Sequence, residues 1–267
     1  MHIIISKDSL LKPLTLVSGA IERKHTLPIL SNVLIETSLE QVKLTGTDME
    51  VELVASTVPD NVIQAGAITV PAKKLFDICR SLPDNAEIEF KVEGHSAVVK
   101  SGKSKFSLST LPASDYPNLE EWDSSEQIEL TRHTLRALIE STHFSMANQD
   151  VRYYLNGMSF ELEPNVIRTV STDGHRLALA QQAVTNGVSE QRQVIVPRKA
   201  VLEILRLLED DDATIALHLG TNHIRIIEQN FIFTTKLVDG RFPDYRRVLP
   251  QGGDKTVVAD KFMLKEV

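Results

Sequence analysis

A chain of 267 residues, 42% hydrophobic and 24% charged, has material for one large globular domain or two ordinary ones. It has no apolar run long enough to cross a bilayer, and MHIIISKDSLLKP is too polar for a secretion signal. The single cysteine, Cys79, excludes an internal disulfide and fits a reducing cytosol, while a net charge of −7 argues, taken alone, against a nucleic-acid partner.

In chain order, a short apolar strand (Ile3 to Ile5) leads into an amphipathic helix marked by Ser9, Leu10, Leu14 and Val17. Alternating strands follow in NVLIETS, VKLTGTD and MEVELVA, then a second helix with Pro71 in its first turn. AEIEFKVEG, SAVVKSG and KFSLSTL supply three further strands. The order then starts again, with a strand at Ile128 to Leu130, a helix marked by Thr134, Leu135, Leu138 and Ile139, and a helix opened by Pro197.

This is a repeat. VPAKKLFDICRSL (70–82) aligns on VPRKAVLEILRLL (196–208) and FSLSTLPASDYP (106–117) on IFTTKLVDGRFP (232–243), both at a shift of 126. TGTDMEVELVA (45–55) aligns on VSTDGHRLALA (170–180), and ISKDSLLKPLTLVS (5–18) on LTRHTLRALIESTH (130–143), at 125. VADKFMLKEV (258–267) resembles the first segment again, at 253. The expected organisation is one unit over 1–125, a second over 126–253, and the opening of a third over 254–267. The expected class is α+β, each unit having two helices packed on mostly antiparallel sheets of about eight strands.

Charge is sorted by element. Every helical segment is net positive, so the rest of the chain is strongly acidic. Lys73 and Arg80 on one helix, with Arg198, Lys199 and Arg206 on its repeat, are placed to meet phosphates. Without a base-reading motif, such binding is independent of sequence and sensitive to salt.

Catalytic patterns are missing: no phosphate-binding loop, dinucleotide fingerprint, nucleophile elbow or zinc spacing is present. No cofactor and no metal site is expected. EDDD (209–212) follows a helix and precedes a strand, which favours a solvated connection over a metal site. Ser171, Asp173 and His175 have the composition of a hydrolytic triad, but the repeat provides a control. The first copy has Gly46, Asp48 and Glu50 there, so Thr47-Asp48 and Thr172-Asp173 are read as a shared turn in which Asp accepts backbone N–H groups. Gly174, His175, Arg176 and Leu177 differ between the copies and are the better candidates for binding.

TLPIL (26–30), LTGTDMEVEL (44–53), QDVRYYLNGM (149–158), STDGHRLA (171–178) and KLVDGRFPDYRRVLP (236–250) closely resemble the bacterial replicative sliding clamp family, the beta subunits of DNA polymerase III. The resemblance covers essentially the whole chain. It implies three repeated domains per chain and two chains closed head to tail, with helices lining the hole and sheets outside. It implies duplex contacts at Lys24, Gln149, Tyr153 and Tyr154, with Arg198 and Lys199 in the lining. It also implies a pocket for short linear peptides of polymerases and clamp loaders, built by Arg152, Leu155, Thr172, Gly174, His175, Arg176, Leu177, Pro243, Arg247 and Val248. On that reading the chain is a non-catalytic, cytoplasmic processivity factor, and a fragment stopping in the third unit would not close the normal ring. The alternatives are a serine-type hydrolase centred on Ser171 and His175, and a peptide-binding scaffold that never encircles DNA.

Overall fold

The computed structural model describes residues 1–22, 27–117, 126–184, 191–250 and 252–266. The first unit runs β1 (His2–Ser6), α1 (Lys7–Val17), β2 (Asn32–Thr37), β3 (Val42–Thr47), β4 (Val51–Thr57), β5 (Asn61–Gln64), β6 (Gly66–Pro71), α2 (Ala72–Ser81), β7 (Glu87–Glu93), β8 (Ser96–Ser101) and β9 (Ser104–Ser109). The second runs β10 (Glu126–Thr131), α3 (Arg132–Glu140), β11 (Gly157–Glu163), β12 (Val166–Thr172), β13 (Leu177–Ala183), β14 (Arg192–Pro197), α4 (Arg198–Leu207), β15 (Thr214–Leu219), β16 (His223–Ile227) and β17 (Phe231–Lys236). The class is α+β.

Equivalent residues begin equivalent helices. The Ser6 hydroxyl accepts the Ser9 amide N–H ahead of α1, and the Thr131 hydroxyl accepts that of Thr134 ahead of α3. Leu10, Leu14 and Val17 in α1, and Leu135, Leu138 and Ile139 in α3, are buried at helical spacing, as the periodicity predicts. α2 and α4 open directly after Pro71 and Pro197.

Sheet topology repeats as well. β1-β7-β8-β9 in the first unit corresponds to β10-β15-β16-β17 in the second, and β4-β3-β2-β6 to β13-β12-β11-β14, every pairing being antiparallel. β17 then pairs with β4, placing Phe233 opposite Leu53 and Ile232 opposite Val54. The two units thereby share one eight-stranded sheet and one continuous apolar core.

Strand pairing corrects the alignment of the last segment by one residue. Val99 faces Phe106 in the first unit and Ile226 faces Phe233 in the second, so Phe106 corresponds to Phe233 and not to Ile232. A one-residue slip exchanges the two faces of a strand. The identities in YP and FP further along had pulled the alignment across a length change.

The stretch expected to open a third unit carries little regular structure. Residues 252–260 contain no strand, and α5 (Lys261–Lys265) is barely more than one turn, capped by Asp260, with every side chain exposed. β1 and β10 are strands because β7 and β15 hydrogen-bond to them; no such neighbour stands beside residues 254–258 among the described residues.

Candidate functional site

The Thr-Asp turn is the same device in both copies. Thr47 donates its hydroxyl to the Val51 carbonyl at 2.8 Å, and Asp48 Oδ1 accepts the amides of Glu50 and Val51. Thr172 donates to the Arg176 carbonyl at 2.7 Å, and Asp173 Oδ1 accepts the amides of His175 and Arg176. The turn needs a left-handed residue after the aspartate: Met49 has φ +74° and Gly174 has φ +89°. A side chain at 174 would strain the backbone and press on the Arg152 guanidinium, 3.0 Å from a Cβ. Arg152 donates back to the Asp173 carbonyl at 3.2 Å.

Ser171 is not a nucleophile. It points into the core, fully buried, with its hydroxyl donated to the Thr142 carbonyl. Asp173 serves two amides and the Arg176 guanidinium, and His175 is exposed. No acid-base-nucleophile relay exists between them.

The turn instead rims a cavity of about 460 Å³. Arg152, Leu155, Thr172, Gly174, His175, Arg176, Leu177, Pro243 and Val248 line it, nine of the ten residues named from the sequence. Arg247 does not; its guanidinium is exposed and held by Asp244 at 2.9 Å. Sequence reading missed Tyr154, Asp244 and Tyr245. The resemblance implies a duplex contact for Tyr154; here it packs with Leu177 and Val238 against buried Val170, Ile195, Phe242 and Tyr245, an apolar base under the rim. Only Tyr153 of the pair stands open, its ring 5.7 Å from that of Tyr154 at 72°.

The rim arginines are pre-oriented. Arg152 is clamped by Asp150 at 2.8 Å and Arg176 by Asp173 at 3.0 Å, and the Arg176 guanidinium lies 5.9 Å from the Phe144 ring centre. The Arg152 side chain and amide hold the Asp150 carboxyl down to about 2; the amides of Arg176 and His175, then the Arg176 guanidinium, do the same for Asp173. An apolar base with fixed polar donors around it suits an extended ligand with apolar anchors and backbone carbonyls.

Counting charge by element overstated the cationic surface. Lys7 is buried and donates to the Leu82 carbonyl and Asp84. Arg132 is held by Glu228, Asp211 and Glu209, and His133 by Asp210, so the EDDD loop is an ion partner of α3. Arg136 donates to the Leu208 carbonyl at 2.7 Å and pairs with Glu140.

Lys199 and Arg206 work at the junction of the units. Lys199 is bound by Glu22 and Asp48 of the first unit, and Arg206 donates to the Leu16 carbonyl at 2.6 Å while pairing with Glu203. Burial opposes the Lys199 charge, but Asp48 and Glu22 outweigh it and raise its pKa. Gly19 lets α4 approach, since a Cβ there would collide with Glu203 and Arg206. Lys73 and Arg80 are exposed on α2, Gln149 is exposed with φ +59°, and Arg198 is half-buried, donating to the Met146 carbonyl. Lys24 lies outside the described residues.

Two family models match: the DNA polymerase III beta subunit N-terminal domain over residues 1–120 and its central domain over 129–244. The chain belongs to the DNA polymerase III beta subunit family. The beta sliding clamp of Pseudomonas putida is 53% identical over 266 residues, covering 100% of this chain and 72% of the relative; that of Escherichia coli K12 is 50% identical with the same coverage. A crystal structure of the beta subunit from Pseudomonas aeruginosa matches with a TM-score of 0.97 at 52% identity, over 100% of this chain and 72% of that one. The sliding-clamp fold places the hydrolase reading aside, in agreement with the buried Ser171. Among the described residues no helix is long and apolar enough to cross a membrane.

Proposed function

We propose that the chain acts in DNA replication as a sliding clamp: two of its units form an arc of a ring around duplex DNA, and the cavity at the Thr172–Leu177 turn docks short linear peptides of polymerases and clamp loaders. The junction carries this reading. β17 on β4, with Lys199 and Arg206 bolted to the first unit, sets one unit on the next in a fixed relation, as a ring built of repeats requires. Lys73, Arg80, Gln149, Tyr153 and Arg198 would touch the duplex, their cations meeting phosphates without reading bases. The units are 1–125 and 126–253, and residues 254–267 open a third; Asp260 caps α5 as Ser6 and Thr131 cap α1 and α3, one residue beyond the shift of 253. Ring closure then draws on surfaces beyond the two units. Nothing in the reading needs catalysis, a cofactor or a metal, and the place of work is the bacterial cytoplasm.

Retention on closed circular against linear duplex tests the ring, using a chain assembled with all of its units. Clamps stay on circles and run off linear ends; equal retention on both would reject encirclement. Griselimycin, bound in related clamps from Pseudomonas aeruginosa and Bartonella birtlesii, is the probe for a ligand site on this chain. Leu177→Ala and Arg152→Ala should weaken it if it shares the peptide cavity. Ser171→Ala tests the hydrolase alternative, with no esterase or peptidase turnover expected before or after the change.

A further inference from the structure

A second cavity, of about 630 Å³, opens where the two units meet; it is larger than the one at the Thr172–Leu177 turn and shares no lining residue with it. One wall is α1 of the first unit with the end of β4. The other is the start of α3, the end of α4 and the turn between β16 and β17. The cavity sits beside the first rung of the junction, where Phe231 pairs with Ala55. Its floor is apolar: Phe231 and Leu207 are buried, and Leu11 and Leu16 are half-buried against the same core. Clefts of this size between packed units, with an apolar floor and a few polar groups at the rim, are where small ligands bind.

Charge at the rim decides the kind of ligand. Arg132 faces three carboxylates, Glu228, Asp211 and Glu209, so its one guanidinium is outnumbered in that corner. Glu228 is buried with both oxygens spent, one on Arg132 and the other on the Asn230 amide. Glu209 is not spent: its side chain is 81% exposed and its contact with Arg132 is a long 3.4 Å. Across the cleft Asp8, exposed in the first turn of α1, has no ion pair among the described residues. Lys12, one turn further on, is the other cation of the lining, so Asp8, Glu209 and Glu228 outnumber Lys12 and Arg132 there.

We propose that this cleft binds a small organic monocation, an amine carried on an alkyl or aryl body. The body covers Leu11, Leu16, Leu207 and Phe231, and the ammonium meets Asp8 and Glu209, one acid from each unit. The same carboxylates turn away phosphates and organic acids. Because the two walls belong to different units, the bound molecule adds contacts across the junction and stabilises the folded form. The site uses neither duplex nor the peptide cavity, and it stands independently of the function proposed above.

The test uses three probes with one apolar body and different charge, hexylamine, hexanol and hexanoate, titrated into the 267-residue chain at neutral pH with leucine methyl NMR as the readout. Hexylamine should shift the methyls of Leu11, Leu16 and Leu207 and raise the unfolding temperature. Its affinity should exceed that of hexanol at least about fivefold, as expected of one Coulomb contact at a surface, and hexanoate should bind more weakly than either. Added salt should narrow the gap between hexylamine and hexanol. Asp8→Asn combined with Glu209→Gln, both at exposed positions, should bring hexylamine down to the affinity of hexanol. Thr15→Trp, which fills the cleft from an exposed position on α1, should abolish the methyl shifts while circular dichroism shows the fold retained. Silent methyls in the unsubstituted chain, hexanoate binding as tightly as hexylamine, or a hexylamine affinity unchanged in the double variant would each overturn the proposal.

Discussion

The Tyr245 hydroxyl donates to the Glu161 carboxylate across 2.9 Å, tying the segment that walls the cavity to strand β11. Glu161 is buried and also accepts Arg168 and Gln193 at 2.8 Å. Tyr245→Phe should cost about 1 kcal/mol of stability and loosen Pro243 and Val248, so ligand affinity should fall at unchanged fold. Glu161→Ala removes one of two carboxylates on the mostly buried Arg168, which keeps Glu163 and Gln181, and should cost about 2 kcal/mol. Urea unfolding beside ligand titration measures both. Equal affinity in Tyr245→Phe would show that this bond does not position the wall.

Gly174→Ala should cost about 1–2 kcal/mol, the penalty of a left-handed residue with a Cβ. Met49→Gly at the matching turn should be neutral or slightly favourable, since Met49 already bears that strain at φ +74°. The Gly174 variant should also lose ligand affinity, because its Cβ displaces Arg152 from the rim. Thermal unfolding and titration of the two variants decide this.

The repeat, the helix faces and the Thr-Asp turn were legible in the sequence because each rests on local chemistry: caps, periodicity, and amides three residues away. The equivalence of Asp48 and Asp173 is enough to separate turn from triad. Long-range partners were not legible. Nothing local says that Lys199 finds Asp48, 151 residues away, or that Arg132 and Lys7 are held by carboxylates and a carbonyl. Tyr154 and Tyr153 look alike in sequence, and only packing against Phe242 and Tyr245 sends one into the cavity. The slip at Phe106 shows that identities beyond a length change outweigh a strand in alignment, whereas hydrogen bonds fix the register.

Lys199→Ala should act on the junction more than on DNA. Its ammonium is already engaged by Asp48 and Glu22, so its removal should lower unfolding stability by about 1–2 kcal/mol. The slope of DNA affinity against salt should barely change, whereas losing a true phosphate contact lowers it by about 0.9. Calorimetry and a salt titration separate the roles. A slope reduced by a full contact would return Lys199 to the lining.

The rim should keep its shape in mild acid. Asp150 and Asp173 have folded pKa values of about 2, below the ordinary carboxylate value of about 4. A depressed carboxylate contributes stability that is complete above its unfolded pKa and lost as pH falls through its folded one. The clamps on Arg152 and Arg176 therefore persist from neutrality to about pH 4 and give way between about 4 and 2. Carboxyl carbon shifts followed by NMR should show both groups titrating near the bottom of that window. Arg152→Ala should move Asp150 only part of the way up toward 4, since it removes the guanidinium, its chief partner, but keeps the backbone amide of residue 152, while Asp173, held by its own turn amides, should stay low. Asp173 rising with Asp150 would mean that Arg152, through its bond to the Asp173 carbonyl, holds the turn itself.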